Sequence, residues 1–443
     1  MPMTEPTIAL LGLGTAVPEY KLDQTDTALR LAEALRDTPD AGRWAKRIFK
    51  QCGVHTRYTC EPDLLEPADR NRYFAQLSGL QVPTTAERMS TYKQAAVPLS
   101  QRAALHALED AGRAAADITH LLTVSCTGQF LPGLDTELTK RLGLSPSVNR
   151  IPLTFLGCAA GLKAIGMARD IVHGQPEAVA LVVCVELCTL HIQPSAEREA
   201  LFGASFFGDG ASACVIGAAG ANGGDRFELG RPVSTLLPDC AEEMVWEVGN
   251  HGFDLYLSAR ISALIGQYVP DRLRPLLSGS ASLPDIWAIH PGGKGIIDAL
   301  ETELGLKEAH TRYSRGVLRD YGNMSSATLL FVLDAIRESM RGESERKAGL
   351  CLAFGPGLSC EILPIAYAPR VAGASSKVDA APATAVKTDS GADSGTDSGA
   401  VTSTAAACAG SDVCLRRCAA PAAGSMCTVS CAAGSPAWQE SHV

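Results

Sequence analysis

The sequence predicts an α/β protein made of two related parts, followed by a segment of different composition. Apolar, strand-like runs alternate with helical patterns over residues 7–354, which is typical of α/β architecture. After a loose Gly/Asn stretch at residues 217–224 the pattern starts again, and each half places a polar residue where a strand passes into a helix. The 443-residue chain is also longer than one compact core usually holds. We therefore expect halves over residues 1–225 and 226–370.

The elements can be placed by hydrophobic period, glycines and prolines. The first half begins with a buried strand over residues 7–17, which ends before Pro18. It continues with helices over 22–35 and 95–116, a strand over 118–126, a helix over 137–142, strands over 151–156 and 178–185, and a glycine turn into a strand over 205–216. The second half is predicted to contain a strand over 286–290, helices over 294–304 and 327–340, and a strand over 349–354.

Composition excludes several classes of function. The chain is 46% hydrophobic and 20% charged, with a net charge of −9 and no long basic run, so we expect no nucleic-acid partner. No apolar run is long enough for a membrane span, and the N-terminus lacks the basic and apolar regions of a signal peptide. A cytoplasmic protein with reduced thiols is therefore expected.

Residues 371–443 form a segment of their own. They are rich in Ala, Ser, Thr, Gly and Asp, and Asp-Ser-Gly occurs three times between Asp389 and Gly399. Such a composition buries too little apolar surface to offset the entropy of ordering, so disorder is expected. The segment holds five of the fifteen cysteines at irregular spacing, and no His accompanies them before His442. Zinc binding is a less favoured alternative there.

The residues around Cys158 predict a nucleophile. The apolar run over residues 151–156 reaches Gly157 and Cys158, and a helical pattern follows at once. A cysteine at a helix N-terminus meets unsatisfied N–H groups and the positive end of the helix dipole, which favour the thiolate. A small buried core cysteine is the alternative for a Cys taken alone.

Two other polar residues stand at similar junctions. His290 ends a strand in IHPGGKGIID, and Asn323 precedes a helix in YGNMSSAT. Each alone could be structural, and an asparagine is a good helix N-cap. Strand-to-helix junctions meet at one edge of a sheet, however, so Cys158, His290 and Asn323 are expected to converge. A neutral Asn and a His can both donate to a developing enolate, which a carboxylate would repel.

At this point the sequence resembles a known family. The segments TFLGCAAG, FFGDGASA, IHPGGKGIID, YGNMSSAT and AFGPGLSCEIL look like the signatures of type III polyketide synthases, the chalcone synthase superfamily. The resemblance covers residues 6–367 and leaves out the C-terminal segment. It implies the thiolase fold, a five-layered αβαβα arrangement of two related halves, working as a homodimer.

The resemblance also implies roles for individual residues. Cys158 would accept the acyl group, while His290 would keep it as thiolate and, with Asn323, bind the thioester carbonyl during decarboxylation. Phe207 matches a gatekeeper aromatic between tunnel and cavity. The loop of Gly355, Pro356, Gly357 and Leu358 would shape the cyclisation cavity. In the basic stretch over residues 43–57, Lys50 and Arg57 would meet the phosphates of coenzyme A, although a solvated helix face is the alternative there.

Some positions depart from the plant enzymes of the family. Leu255 stands where those enzymes have a second gatekeeper Phe, and Cys126 and Cys188 stand where chalcone synthase has Thr. Leu131 replaces the Met that reaches across the plant dimer. A thiol at the position of Cys188 resembles the bacterial tetrahydroxynaphthalene synthases, which use malonyl-CoA as starter. Small apolar groups in the tunnel instead suit an aliphatic chain. Cys126 and Cys188 could equally be filling space.

These observations together predict an acyltransferase of the type III polyketide synthase class. It would load an acyl-CoA on Cys158, extend it with malonyl-CoA and cyclise the product to an alkylpyrone or alkylresorcinol. Coenzyme A thioesters would be its substrates, with no metal or other cofactor. A synthase that makes tetrahydroxynaphthalene from malonyl-CoA alone is the nearest alternative. A β-ketoacyl-ACP synthase and a non-catalytic scaffold on the same fold are more distant ones.

Overall fold

A computed structural model describes residues 6–38, 40–74, 80–193, 195–220, 224–278 and 282–370, which fall within one unit of the chain. The predictions of disorder and zinc binding for residues 371–443 lie outside these residues. The described strands are β1 Ile8–Ala16, β2 Tyr20–Asp23, β3 Thr56–Thr59, β4 His120–Ser125, β5 Asn149–Thr154, β6 Ala180–Leu187, β7 Asp209–Ala218, β8 Arg226–Leu229, β9 Val233–Leu236, β10 Met244–Gly249, β11 Gly252–Leu257, β12 Ile286–Ile289, β13 Lys347–Gly355 and β14 Ser359–Ala368.

The helices separate these strands much as the hydrophobic period predicts. The described α-helices are α1 Gln24–Ala34, α2 Ala41–Gln51, α3 Thr85–Asp110, α4 Leu134–Leu142, α5 Ala160–Gly174, α6 Arg198–Phe206, α7 Ile261–Leu277, α8 Lys294–Leu304, α9 Glu308–Tyr321 and α10 Thr328–Met340. None of these helices is long and apolar enough to cross a membrane.

The two halves repeat one strand topology. In the first half, β7 pairs antiparallel with β1 and β6, and β4 pairs parallel with β6. In the second half, β14 pairs antiparallel with β8 and β13, and β12 pairs parallel with β13. The expectation of two related halves is therefore confirmed. The boundary between residues 225 and 226 stays a prediction, because β8 pairs with both β1 and β14 and joins the strands into one sheet.

Alternate residues of the central strands enter different cores, as the two-residue period of a strand requires. On β6, Leu181, Val183 and Val185 pack with α3 and α4, whereas Val182 and Cys184 pack with α5. The strands of the second half do the same. On β13, one set of side chains meets α7 and α8, and the other set meets the α5 and α10 layer.

The order of layers follows from these cores: α3 and α4, the first-half strands, α5 and α10, the second-half strands, then α7 and α8. This is the predicted five-layered αβαβα fold. Strands buried on both faces explain the almost continuous apolar runs in the sequence. The helices of the middle layer are also the two that begin beside Cys158 and Asn323.

Candidate active site

Cys158 lies where the sequence places it, in a short 3₁₀ turn (Gly157–Ala159) between β5 and α5. The turn requires glycine at position 157, because φ is +67° and a Cβ there would overlap the ring of Pro356. The loop over residues 355–357 therefore packs directly against the nucleophile turn. The glycine-proline-glycine loop supports the position of Cys158 as well as the shape of the cavity.

His290 follows the last residue of β12 and is 1% exposed. Neither of its ring nitrogens has a hydrogen-bond partner among the described residues. His191 provides a contrast, because it is buried yet donates to the Thr127 carbonyl at 2.6 Å and accepts from the Phe253 N–H at 3.0 Å. A buried histidine that serves only packing is satisfied in this way. His290 instead keeps two nitrogens available for a bound molecule.

Asn323 does not lie at a strand-to-helix junction, so that part of the prediction is wrong. It lies between α9 and a 3₁₀ turn that leads into α10, and it forms one isolated parallel bridge with Phe207. The sequence suggests a strand there because a Gly-Asn turn that precedes a helix has the same local pattern whether a strand or another helix comes before it. The convergence of the three residues is nonetheless present.

The side chain of Asn323 has a defined orientation. Its Oδ1 accepts from the Ser325 N–H at 2.8 Å and from the Thr328 hydroxyl at 3.4 Å. Its Nδ2 lies 3.3 Å from the Gly292 carbonyl oxygen and 4.0 Å from Sγ of Cys158. Because the oxygen is already used, the amide presents its N–H groups to the cysteine.

Cys158, His290 and Asn323 all line one cavity of about 530 Å³. The predicted cavity residues Phe207, Cys126, Leu255 and Pro356 line it as well. Exposed residues of the lining mark the opening to solvent: Gln51, Arg198, Glu199, Phe202, Ala259, Lys294 and Gly295. The walls are largely apolar, with side chains that the sequence did not single out: Phe206, Met244, Trp246, Leu257 and Phe354.

Burial sets the protonation of the two titratable groups. It raises the pKa of the Cys158 thiol to about 11, against the opposing hydrogen bonds of Ser325 and Asn323, and Glu186 adds to the rise. It lowers the pKa of His290 to about 3. Burial therefore opposes the predicted thiolate, because desolvation outweighs the helix dipole. The Cys158 thiol and the His290 imidazole line the same cavity, and a neutral imidazole can accept a proton from a thiol.

We expect alkylation of Cys158 by iodoacetamide to be slow at pH 7 and to rise about tenfold per pH unit up to pH 9. A pKa near 11 leaves a thiolate fraction of about 10⁻⁴ at pH 7, and that fraction grows as pH rises toward the pKa. Peptide mass mapping measures the rate at Cys158 alone. With no ion pair present, His290→Gln should change the rate by less than about threefold. A rate that is flat between pH 6 and 8 would show a preformed thiolate instead.

A buried carboxyl network lies beside the cysteine and was missed in the sequence. Glu186, on β6, is 0% exposed and accepts from the Thr127 hydroxyl at 2.7 Å, from the Cys126 N–H at 3.1 Å and from the Ser326 hydroxyl. Burial raises its pKa. The network joins the turn after β4 to the turn that carries Asn323. The sequence signal that could have indicated this network is a single Glu within the apolar run of residues 178–188.

Cys188 is separated from the catalytic group. It lines a second cavity of about 330 Å³, whose lining shares the exposed Glu199 and the side chains of Phe207, Trp246 and Leu255 with the first. The three apolar side chains thus lie between the two cavities. Trp246 and Leu255 belong to the hairpin of β10 and β11, which the sequence analysis did not anticipate. Gly355 and Gly357 flank Pro356 and are not part of either lining.

The two residues that were predicted to bind coenzyme A differ in their exposure to solvent. Lys50 is exposed on α2, whose Ile48 and Gln51 line the first cavity. Arg57 is 0% exposed, so the prediction that it meets phosphates is wrong. Successive side chains of a strand face opposite sides, and on β3 the side chain of Arg57 is on the buried side. The cations that do line the opening are Arg198 and Lys294, and Lys294 stood within a quoted motif.

No group of three or more His, Cys, Asp or Glu is placed to hold a metal ion within the described part of the chain. The ten cysteines that the structure describes are free thiols.

A doubled α/β fold with Cys, His and Asn at one buried cavity defines an acyl-condensing enzyme of the thiolase fold. The chain belongs to the chalcone and stilbene synthases: the N-terminal domain of that family matches residues 3–220 and the C-terminal domain matches residues 228–367. It is a type III polyketide synthase.

Individual relatives agree with this assignment. The chain is 35% identical over 362 residues to "Type III polyketide synthase 21" of Oryza sativa subsp. japonica, covering 80% of this chain and 92% of that one. It is 32% identical over 369 residues to "Alpha-pyrone synthesis polyketide synthase-like Pks18" of Mycobacterium tuberculosis, covering 81% and 91%. It spans 11% of a longer relative, "Probable polyketide synthase 1" of Dictyostelium discoideum, at 31% identity over 80% of this chain.

A solved structure has the same fold. PKS-I from the brown alga Ectocarpus siliculosus superimposes with a TM-score of 0.76 at 26% identity, covering 83% of this chain and 100% of that one.

Proposed function

We propose that this type III polyketide synthase loads a long-chain acyl-CoA on Cys158, extends it with malonyl-CoA and cyclises it to an alkylpyrone or alkylresorcinol. One observation carries the catalytic assignment. His290 is buried with both ring nitrogens unsatisfied, and it shares a cavity with the Cys158 thiol and the oriented Asn323 amide. Buried unsatisfied groups are costly unless a ligand uses them.

Loading begins with attack of Sγ of Cys158 on the thioester carbonyl of the starter. His290 takes the thiol proton as the S–C bond forms, which suits a neutral imidazole beside a neutral thiol. The C–S bond to coenzyme A then breaks, and the proton passes to the departing coenzyme A sulfur. The products are S-acyl-Cys158, free coenzyme A and neutral His290.

Extension uses the same two donors on the second substrate. The imidazole N–H of His290 and the Nδ2–H of Asn323 donate to the thioester carbonyl of malonyl-CoA, so that its oxygen can hold the charge released as CO₂ departs. The enolate carbon attacks the acyl carbonyl on Cys158 and displaces the thiolate. The apolar walls keep water from protonating the enolate first.

Coenzyme A would enter at the exposed end of the cavity. Arg198 and Lys294 line this opening, and Lys50 lies on α2 beside it. We propose that these cations meet the phosphates, in place of Arg57. Metal or nucleotide cofactors have no part in the proposed steps.

The second cavity supports a long aliphatic starter. It lies next to Phe207 and Leu255, and apolar or small side chains such as Cys188, Ile192, Gly203 and Ala204 form part of its lining. The exposed carboxylates Glu197, Glu199 and Asp254 also line it, at its solvent side. Each methylene of a chain moved from water into such a space contributes about 0.8 kcal/mol. The α-pyrone activity in the printed name of one relative is consistent with a pyrone product.

Gly203→Leu is expected to shift starter preference toward short chains. Gly203 lies on α6 and lines the second cavity, and a Cβ there meets no atom within 4 Å. A leucine can therefore enter the cavity without strain and displace two or more methylenes of a long chain, which lowers kcat/KM for long-chain acyl-CoA about tenfold or more.

The matched control is Gly316→Leu, at another helical glycine with open space that lines neither cavity. Kinetics with a series of acyl-CoA lengths measure the shift. Equal losses at all lengths, or the same loss in Gly316→Leu, would contradict an alkyl cavity.

The overall proposal is tested by mass spectrometry of products from malonyl-CoA alone and with a series of fatty acyl-CoA starters. Masses that follow starter length as alkylpyrones or alkylresorcinols support it. A single product from malonyl-CoA alone, with fatty starters ignored, would favour the tetrahydroxynaphthalene alternative, for which the thiols of Cys126 and Cys188 are the motivating observation.

A homodimer also stays a proposal. Leu131 is 93% exposed, and Phe155 and Leu156, beside the nucleophile turn, are 39% and 47% exposed. Exposed apolar side chains that lie together on a surface are typical of an interface, which is the reason for the proposal. Cytoplasmic location remains a prediction.

A further inference from the structure

Arg57 is a buried cation that the proposed chemistry leaves without a role. It lies on β3, is 0% exposed and forms no ion pair with any residue that the structure describes. Burial lowers the pKa of its guanidinium to about 10. The buried carboxyl of Asp209 opposes this shift through a longer-range charge interaction. A buried cation without a direct ion pair is still costly, so a gain in stability does not account for it.

The guanidinium makes one hydrogen bond. Its Nη1 donates to the backbone oxygen of Phe207 at 2.6 Å, and Nε and Nη2 are buried without a partner among the described residues. Its carbon lies 5.8 Å from the centre of the Phe49 ring. The bond is therefore directed at the backbone of the gate residue that stands between the two cavities.

Two backbone segments meet on the aliphatic stem of Arg57. A Cβ at Gly208 would lie 3.4 Å from its Cβ, and a Cβ at Gly322 would lie 3.0 Å from its Cγ. Gly208 follows Phe207, and Gly322 precedes Asn323. The segments are also bonded to each other, since the Gly208 N–H donates to the Asn323 oxygen at 3.0 Å and the Asn323 N–H donates to the Phe206 oxygen at 2.8 Å.

The strand of Arg57 is fastened to the helix that leads to Asn323. The hydroxyl of Thr56 donates to the Asp320 carbonyl at 2.8 Å, and the N–H of His55 donates to the Arg319 carbonyl at 2.7 Å. Both acceptors lie in the last turn of α9, just before Gly322. A shift at Arg57 therefore reaches Asn323 through the bonded backbone.

We infer that Arg57 is a positioning residue that holds the backbones of Phe207 and Asn323 together at the site. The inference rests on the proposed role of Asn323 in decarboxylation. No hydrogen bond or ion pair among the described residues joins Arg57 to the turn of Cys158 or to that of His290. Arg57 therefore acts on extension rather than on loading. Displacement of a donor by about 1 Å costs on the order of 10²-fold in rate, which sets the scale of the effect.

The test separates the two half-reactions in the full-length enzyme. Acyl loading is followed by the intact-protein mass of Cys158 with acyl-CoA alone, and decarboxylation by conversion of malonyl-CoA to acetyl-CoA. Arg57→Met keeps the stem and removes the donor and the charge, and it should lower the ratio of decarboxylation to loading more than tenfold. Arg57→Lys keeps the charge and one donor and should lower the ratio about threefold.

Arg337→Met is the matched control, because Arg337 is 3% exposed but pairs with Asp110 outside both cavities. It should leave the ratio unchanged. An unchanged ratio in the Arg57 variants, or loading that falls with decarboxylation, would overturn the inference. If Arg57→Met fails to fold, the ratio of decarboxylation to loading in Arg57→Lys tests the inference by itself. Wild-type enzyme that loads acyl groups but does not decarboxylate malonyl-CoA would refute the proposed function instead.

Discussion

Replacement of Cys158 by alanine is expected to abolish polyketide products, with a loss of at least about 10³-fold in condensation. Without Sγ no acyl group can be held beside the enolate, so each extension lacks its electrophile. Decarboxylation should survive within about tenfold, because His290 and the Nδ2 of Asn323 do not need the thiol to bind the malonyl thioester. Uncoupled acetyl-CoA formation is therefore the signature of this variant.

The measurement combines product mass spectrometry with the intact-protein mass after acyl-CoA is added. Cys126→Ala is the matched control, because Cys126 is a second thiol in the same cavity and contacts Ser325 at 3.2 Å. It should still be acylated at Cys158. Acylation that persists in Cys158→Ala and disappears in Cys126→Ala would transfer the nucleophile role to Cys126.

Asn323→Asp is expected to lower malonyl-CoA decarboxylation by about 10²- to 10³-fold, the usual effect of removing one donor to a developing oxyanion. The change replaces the N–H groups that face Cys158 at 4.0 Å with an oxygen. At neutral pH the carboxylate also repels the enolate, so Asn323→Asp should be slower than Asn323→Ala. As pH falls and the carboxyl is protonated, part of the loss should be recovered.

Loading of Cys158 provides the internal comparison for this variant. Because His290 takes the thiol proton, acylation should stay within about threefold of wild type in Asn323→Asp. Circular dichroism confirms that the variant is folded, since Asn323 also accepts the Ser325 N–H. Decarboxylation within threefold of wild type would show that the amide does not stabilise the enolate.

Many of the strands and helices could be predicted, because the local pattern of apolar residues determines them. The central strands are apolar on both faces, so their runs were visible in the sequence. The helix α8 begins and ends at the predicted residues, and Gly305 follows it in the left-handed conformation of a helix C-cap. Cys158 and His290 were found for the same reason, since each lies just after a strand and close to a glycine turn.

Other features depended on contacts that no local pattern records. The helix α3 begins at Thr85, ten residues before its predicted start, because Thr84 and Glu87 form a capping box and the helix continues through Pro98. The hairpin of β10 and β11 was missed because its side chains are part exposed and part cavity wall, which hides the two-residue period.

The sequence by itself determined the two-part α/β architecture, the family and the identity of the residues that meet at the site. Only the tertiary structure decided how they behave there. Burial raises the pKa of Cys158 and lowers the pKa of His290. It also keeps Arg57 away from solvent and places its guanidinium on the backbone oxygen of Phe207. The reason is physical. Desolvation and long-range backbone hydrogen bonds depend on elements that are far apart in the chain, so the residues adjacent to an ionisable group in the sequence do not predict them.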